Sequence, residues 1–168
     1  MSAAALPTVT VIDAVLGAMA ALSPVKELPG NRGYFVDAIN EWAGSPPGSA
    51  WCLNACHYAA AHAIGKARWP LPINGNCDVL LRYARKMGIL RDTPARGAIF
   101  LKLDPENPEN ATHAGLVDSD PMPSGKWMTR EGNSNEDGSR EGTDIVEIER
   151  PRKPGERYVF VYWWLLLK

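Results

Sequence analysis

Three cysteines and three histidines make up the chain's inventory for nucleophilic chemistry, and their positions narrow it further. Cys52 lies in Ser49-Ala50-Trp51-Cys52-Leu53-Asn54, after the turn Pro46-Pro47-Gly48 and at the start of an alanine-rich helical stretch from about residue 50 to 66. Free amides and the helix dipole at such a start favour negative charge, which lowers a thiol pKa toward the reactive range. A plain buried cysteine is the competing reading. Cys56 is one turn further on nearly the same face, among alanines, and is expected to be structural. Cys77 follows Gly75-Asn76 before another helical stretch, so it too could be a helix-start thiol, although no other feature points to it. Cys52, Cys56 and His57 do not make a metal site, because His57 turns about 100° away from Cys56 and no second ligand pair follows. Neither metal nor cofactor is expected.

A helix-start cysteine needs a base from elsewhere in the fold. His57 points away from Cys52 on the same helix, and His62 lies about 15 Å further along it. His113 remains, opening the strand-like run Thr112-His113-Ala114-Gly115-Leu116-Val117. Alternation puts His113, Gly115 and Val117 on one face, and Gly115 leaves room beside the imidazole. A strand-edge histidine with a surface role is the alternative. In Met128-Thr129-Arg130-Glu131-Gly132-Asn133-Ser134-Asn135, a strand pattern breaks into a carboxylate, a glycine and two asparagines. Glu131 there could orient the histidine and stabilise its cation, whereas Asn133 could orient it without adding charge. An ordinary hairpin loop would also have this composition.

The elements that must position these residues read as helices first and strands after. Helices are expected over Ile12–Leu22, Tyr34–Trp42 (with Phe35, Ile39 and Trp42 on its apolar side), about 50–66 with Ser49 as N-cap, and Asp78–Met87. Strands are expected over Ala98–Leu103, Thr112–Asp118, Lys126–Glu131, Asp144–Glu149 and Arg157–Leu167, with a turn at Glu136-Asp137-Gly138. That order suggests one α+β domain over residues 1–168, its N-terminal helices packed on an antiparallel sheet of about five or six strands. The chain has 168 residues, 45% of them hydrophobic, and a formal charge of -1. Such a balance offers no basic face for nucleic acid. The run Arg150, Arg152, Lys153 sits among prolines and reads as a solvated turn. No apolar stretch is long enough to span a bilayer, no secretory signal is evident, and a monomer is expected.

Taken together, these residues resemble the CHAP family of cysteine, histidine-dependent amidohydrolases and peptidases, relatives of the NlpC/P60 group. The likeness rests on Gly30-Asn31-Arg32-Gly33, Trp51-Cys52, Pro94 to Phe100, His113-Ala114-Gly115-Leu116-Val117, Glu131-Gly132-Asn133-Ser134-Asn135, and Gly138-Ser139-Arg140-Glu141-Gly142 with the strand to Arg150. It implies a papain-like or NlpC/P60-like fold, with Cys52 as nucleophile, His113 as base, and Glu131 with Asn133 as the orienting pair. It also implies an amide bond of bacterial peptidoglycan as substrate. That bond is either the lactyl–alanine amide cut by an N-acetylmuramoyl-L-alanine amidase or one within the stem peptide or cross-bridge. The enzyme would act at the cell wall or periplasm, delivered there by lysis, a holin or a secretion system. Ser45 to Ala50 carries no acid, so the calcium site of some members is not carried over, and Leu53-Asn54 departs from the small and aromatic residues common after the cysteine. The rival readings are a non-catalytic wall-binding or phage structural module, and an intracellular thiol amidase acting on a small conjugate.

Overall fold

The computed structural model describes residues 8–134 and 144–167. Four helices come first: α1 (Thr8–Ala21), α2 (Tyr34–Trp42), α3 (Cys52–Ile64) and α4 (Cys77–Lys86). Six strands follow: β1 (Leu90–Arg91), β2 (Ile99–Leu103), β3 (Ala111–Val117), β4 (Trp127–Ser134), β5 (Asp144–Arg150) and β6 (Tyr158–Val161). They form one sheet in the order β1-β6-β2-β3-β4-β5, with every neighbouring pair antiparallel. The fold is therefore α+β, with N-terminal helices packed on a six-stranded antiparallel sheet. The expected turn at 136–138 and the stretch 138–142 lie outside the described residues. Among the described residues, no helix is long and apolar enough to cross a membrane.

The main core lies where α1, α3 and α4 meet the sheet. Val15, Met19, Leu53, Ala60 and Leu81 pack there with Ile99, Leu101, Ala114 and Leu116. Small side chains at Ala55, Ala59 and Ala60 let α3 lie close to its neighbours, and all three are buried. A second, aromatic cluster of Phe100, Trp127 and Phe160 includes the alternate strand residues Ala98 and Val117. Such alternation gives both faces of the sheet an apolar layer.

Several local expectations are corrected. The apolar side of α2 is Val36, Ile39 and the buried Asn40, while Phe35 is exposed and meets Tyr34 edge-on. Ser49 does not cap α3: Trp51 holds the cap position without a side-chain bond, and the Ser49 carbonyl accepts instead from Asn40 Nδ2 at 3.0 Å. The tail is not one strand to Leu167. β6 ends at Val161, and Trp163–Leu166 turns into a 3-10 helix. The turn carries Trp163 into the core, where its Nε1 donates to the Gly97 carbonyl at 2.8 Å and its ring lies 4.9 Å from that of Trp69. Arg150 is not in a solvated turn. It is 1% exposed, at the end of β5, beneath the 151–156 turn that follows.

Candidate active site

The approach to Cys52 is held by side-chain amides, of which Asn40 and Asn54 are buried. Asn54 Nδ2 donates to Asn40 Oδ1 at 2.8 Å and to Ser45 Oγ at 2.9 Å, and Asn31 Nδ2 reaches the Gly48 carbonyl at 3.2 Å. These bonds fasten the 45–49 turn to α2, to α3 and to the 30–33 loop. Trp51 is fully buried and donates through Nε1 to Glu27 Oε2 at 2.6 Å. Its ring fills the space beside Gly132, where an added Cβ would come within 2.8 Å of it. A side chain at residue 132 would thus push the start of α3 away from β4.

From that start, the Cys52 thiol has three neighbours that favour its ionised form: the Cys77 thiol, the His113 ring and the Ala114 backbone amide. Its pKa falls well below that of a free thiol, first because of Cys77 and then through His113, against the opposing effect of burial. Cys56, one turn on, goes the other way. Its thiol donates to the Cys52 carbonyl at 3.4 Å, and burial followed by the Cys52 charge pushes its pKa well up.

His113 stands between the thiol and a carboxylate. Its Nε2 donates to Glu131 Oε2 at 2.8 Å. Its Nδ1 makes no hydrogen bond, which leaves that nitrogen open to the nearby thiol. Burial works against the imidazolium, but the Cys52 thiolate and then Glu131 outweigh it and raise the histidine to about 9. Gly115 does leave room beside this ring. The space is taken by Phe100 and Glu131, since an added Cβ would lie 2.6 Å from the Phe100 ring and 2.9 Å from Glu131 Cγ.

Glu131 is fully buried and saturated with donors. Arg150 grips it with two bonds, Nε to Oε1 at 2.9 Å and an Nη to Oε2 at 2.7 Å, and Thr129 Oγ1 donates to Oε1 at 2.5 Å. Burial would raise its pKa, yet Arg150 and His113 bring it down to about 2. A guanidinium fork of this kind fixes a carboxylate in position as well as in charge. Arg150 was missed in the sequence because its partner lies 19 residues away on the adjacent strand; a lone arginine ending an apolar-alternating strand was the only signal.

Asn133 sits at a bulge of β4 in the left-handed region, with φ 54. That conformation suits asparagine better than most residues. It lines a cavity of about 320 Å³ together with Cys52, Cys77, Asn76 and Thr112. A second cavity, about 440 Å³, adjoins the first across Ala50, Gly75 and Asn76, and extends to Ser45 and Ser49. The structure thus brings Cys52, His113 and Glu131 into one chain of contacts and puts Asn133 on the cavity wall.

The remaining histidines are elsewhere. His57 is buried, accepts from Trp69 Nε1 at 3.0 Å, and is held down to about 4 by burial. His62 lies against the ring of Tyr58. Among the described residues, no group of three or more His, Cys, Asp or Glu is arranged to hold a metal ion. A thiolate beside an imidazolium is a strong nucleophile paired with a general acid, and the neighbouring cavity can admit a reacting carbonyl. Compared with known proteins, the chain matches no family model, no curated protein and no solved structure.

Proposed function

We propose that the chain is a cysteine amidohydrolase of the CHAP and papain-like kind that cuts an amide bond of bacterial peptidoglycan. One observation carries the catalytic part. An imidazole stands near a helix-start thiol and is bonded to a buried carboxylate, and the thiol lines a cavity. The substrate class rests on the sequence motifs that resemble that family, and so does action at the cell wall after delivery.

In this reading the Cys52 thiolate attacks the amide carbonyl. The start of α3 has no side-chain cap, so its first backbone amides remain to hold the oxyanion. His113, as imidazolium, gives its proton to the leaving amine. The acyl group is then on sulfur, and water activated by neutral His113 releases it as a carboxylate. Glu131 supports the imidazolium through Nε2 while Nδ1 faces the sulfur, and Arg150 keeps Glu131 ionised and in place. Asn133 lies where it can touch substrate beside the thiol.

Digestion of purified peptidoglycan by the reduced protein tests the reading. New amino groups should appear without new reducing sugar ends. New N-terminal alanine from the lactyl bond would identify an amidase, and any other new amine an endopeptidase. If no amine is released by protein whose Cys52 still reacts rapidly with iodoacetamide, the peptidoglycan reading fails and a small-conjugate amidase takes its place. A slow, thiol-like Cys52 would instead favour a non-catalytic module.

A further inference from the structure

A second thiol stands at the first. Cys77 opens α4 and lines the same cavity as Cys52, close enough that each thiol shifts the ionisation of the other. Its position is fixed from the neighbouring residue, because Asp78 Oδ1 accepts the Ala111 backbone amide at 2.7 Å and so ties the start of α4 to the start of β3. Cys56 is much nearer in sequence to Cys52 but aims its sulfur at a backbone carbonyl. All three cysteines are free thiols.

We infer that Cys52 and Cys77 are a disulfide-forming pair, a modification site for hydroperoxides in which Cys52 is attacked first and Cys77 resolves the product. The Cys52 thiolate displaces hydroxide from hydrogen peroxide and becomes a sulfenic acid. Its sulfur is oxidised by two electrons, and the peroxide is reduced. Cys77 then attacks the sulfenic sulfur. The new S–S bond forms as the S–O bond breaks, and the hydroxide leaves with the Cys77 proton as water. A dithiol reverses the change by exchange through a mixed disulfide. The lowered pKa of Cys52 suits it to the first step, since the thiolate is the reacting form. Without Cys77, the sulfenic acid would be open to a second peroxide and irreversible oxidation. The bridge would also block the residue proposed as nucleophile, so its effect on turnover rests on the hydrolase reading, whereas the bridge itself does not.

Peroxide treatment of the reduced protein, followed by alkylation and trypsin, tests the pairing by mass. Cleavage after Arg32, Lys66, Arg68 and Arg82 leaves Cys52 with Cys56 in peptide 33–66 and Cys77 in peptide 69–82. The expected result is a link between these peptides, the loss of two of three thiols, and the same link in Cys56→Ala. Dithiothreitol should restore all three thiols. In Cys77→Ser the link should be missing, and Cys52 should advance to a sulfinic acid that dithiothreitol does not reverse. The wild-type digest decides the matter even if that variant folds poorly. A Cys52–Cys56 bridge, sulfinic Cys52 beside unmodified Cys77 in the wild type, or three intact thiols would each overturn the inference. Loss of turnover without the link would do the same, while the link with no turnover in either redox state would count against the hydrolase reading alone.

Discussion

Two helices of this protein begin at a cysteine, and their first turns are completed differently. At the start of α4, Asn76 Oδ1 accepts from the amides of Asp78 and Val79, at 2.8 and 3.3 Å, and Asp78 adds a carboxylate. The positive end of that helix is thereby spent on its own chain. At the start of α3, no side chain caps the helix and no acid lies in the first turn. The thiols also differ: Cys52 is driven down and Cys77 up, each chiefly through the interaction between them. We therefore expect a helix-start cysteine to be activated where the amides are left free and a cation stands opposite. His113 is that cation for Cys52, whereas Cys77 faces the Cys52 anion and Asp78.

The largest effect expected from this contrast is loss of the favoured thiol. Cys52→Ala should lower kcat/KM on peptidoglycan at least about 10⁴-fold, because the covalent step disappears. Cys56→Ala should cost about 1 kcal/mol of stability and leave turnover per folded molecule close to wild type. A folded Cys56→Ala that is inactive beside an active Cys52→Ala would assign the nucleophile to the wrong turn of α3.

Next in size are changes to the cation opposite Cys52. Glu131→Ala should reduce turnover at least about tenfold, and Asn133→Ala less, since Glu131 supports the imidazolium directly. The reverse order would make Asn133 the orienting residue. Glu131→Gln removes the charge that helps hold His113 near 9, so the alkaline limb of the pH–rate profile should move to lower pH. That variant also takes the close carboxylate from buried Arg150 and leaves it Glu156 at 4.0 Å, so stability should fall, by less than the roughly 3–5 kcal/mol of a fully unpaired buried charge. The double variant Glu131→Gln with Arg150→Met should regain much of that stability but not the turnover.

The same pair predicts an acid signature. Glu131 titrates near 2 in the folded protein against an ordinary 4.5. Its folded pKa is depressed, so its contribution to stability is complete above about 4.5 and disappears as the pH falls toward 2. Denaturant midpoints measured across this window should drop in the wild type and stay flatter in the double variant. Equal slopes would mean that other carboxylates, such as Glu156, which is also held near 2, govern acid unfolding.

How much of this was legible in the sequence follows the range of the interactions. α2 was readable to the residue because its ends are local: Gly33 precedes it and a glycine turn follows Trp42. Its buried side was not, since Asn40 and not Phe35 faces the 45–49 turn, and that choice depends on the amide contacts with Asn54 and Ser49. His113 was readable by elimination, because helix geometry alone keeps His57 and His62 from Cys52. Glu131 was legible only beside Asn133, as one of two candidate orienting groups where the strand pattern breaks; its bond to His113 depends on the β3–β4 pairing. Arg150 was hidden by Pro151, Arg152 and Lys153, which give its surroundings the look of a solvated turn, and only the β4–β5 pairing brings it to Glu131. Cys77 was hidden for a similar reason: its nearness to Cys52 comes from packing of α4 on β3, not from any spacing in the chain.

The smallest expected effect isolates the cap itself. In a Cys52→Ala, Cys56→Ala background, Cys77 is the only thiol and the Cys52 anion is gone, so the remaining influences on it are burial, Asp78 and the state of the α4 amides. Asn76→Ala in that background frees the amides of Asp78 and Val79. The loss of the cap should cost about 0.5–2 kcal/mol, seen as a fall in Tm of a few degrees. The freed amides should favour the Cys77 thiolate as the uncapped start of α3 favours that of Cys52. A helix-terminus charge interaction of about 0.3–1 kcal/mol corresponds to a fall of about 0.2–0.7 pH units in the alkylation midpoint. Rates of reaction with iodoacetamide across pH would measure it, with circular dichroism confirming that the fold persists. A midpoint that stays fixed while Tm falls would show that capping does not distinguish the two helix starts. The contrast between the thiols would then come from the ions opposite them, His113 for one and Asp78 with Cys52 for the other.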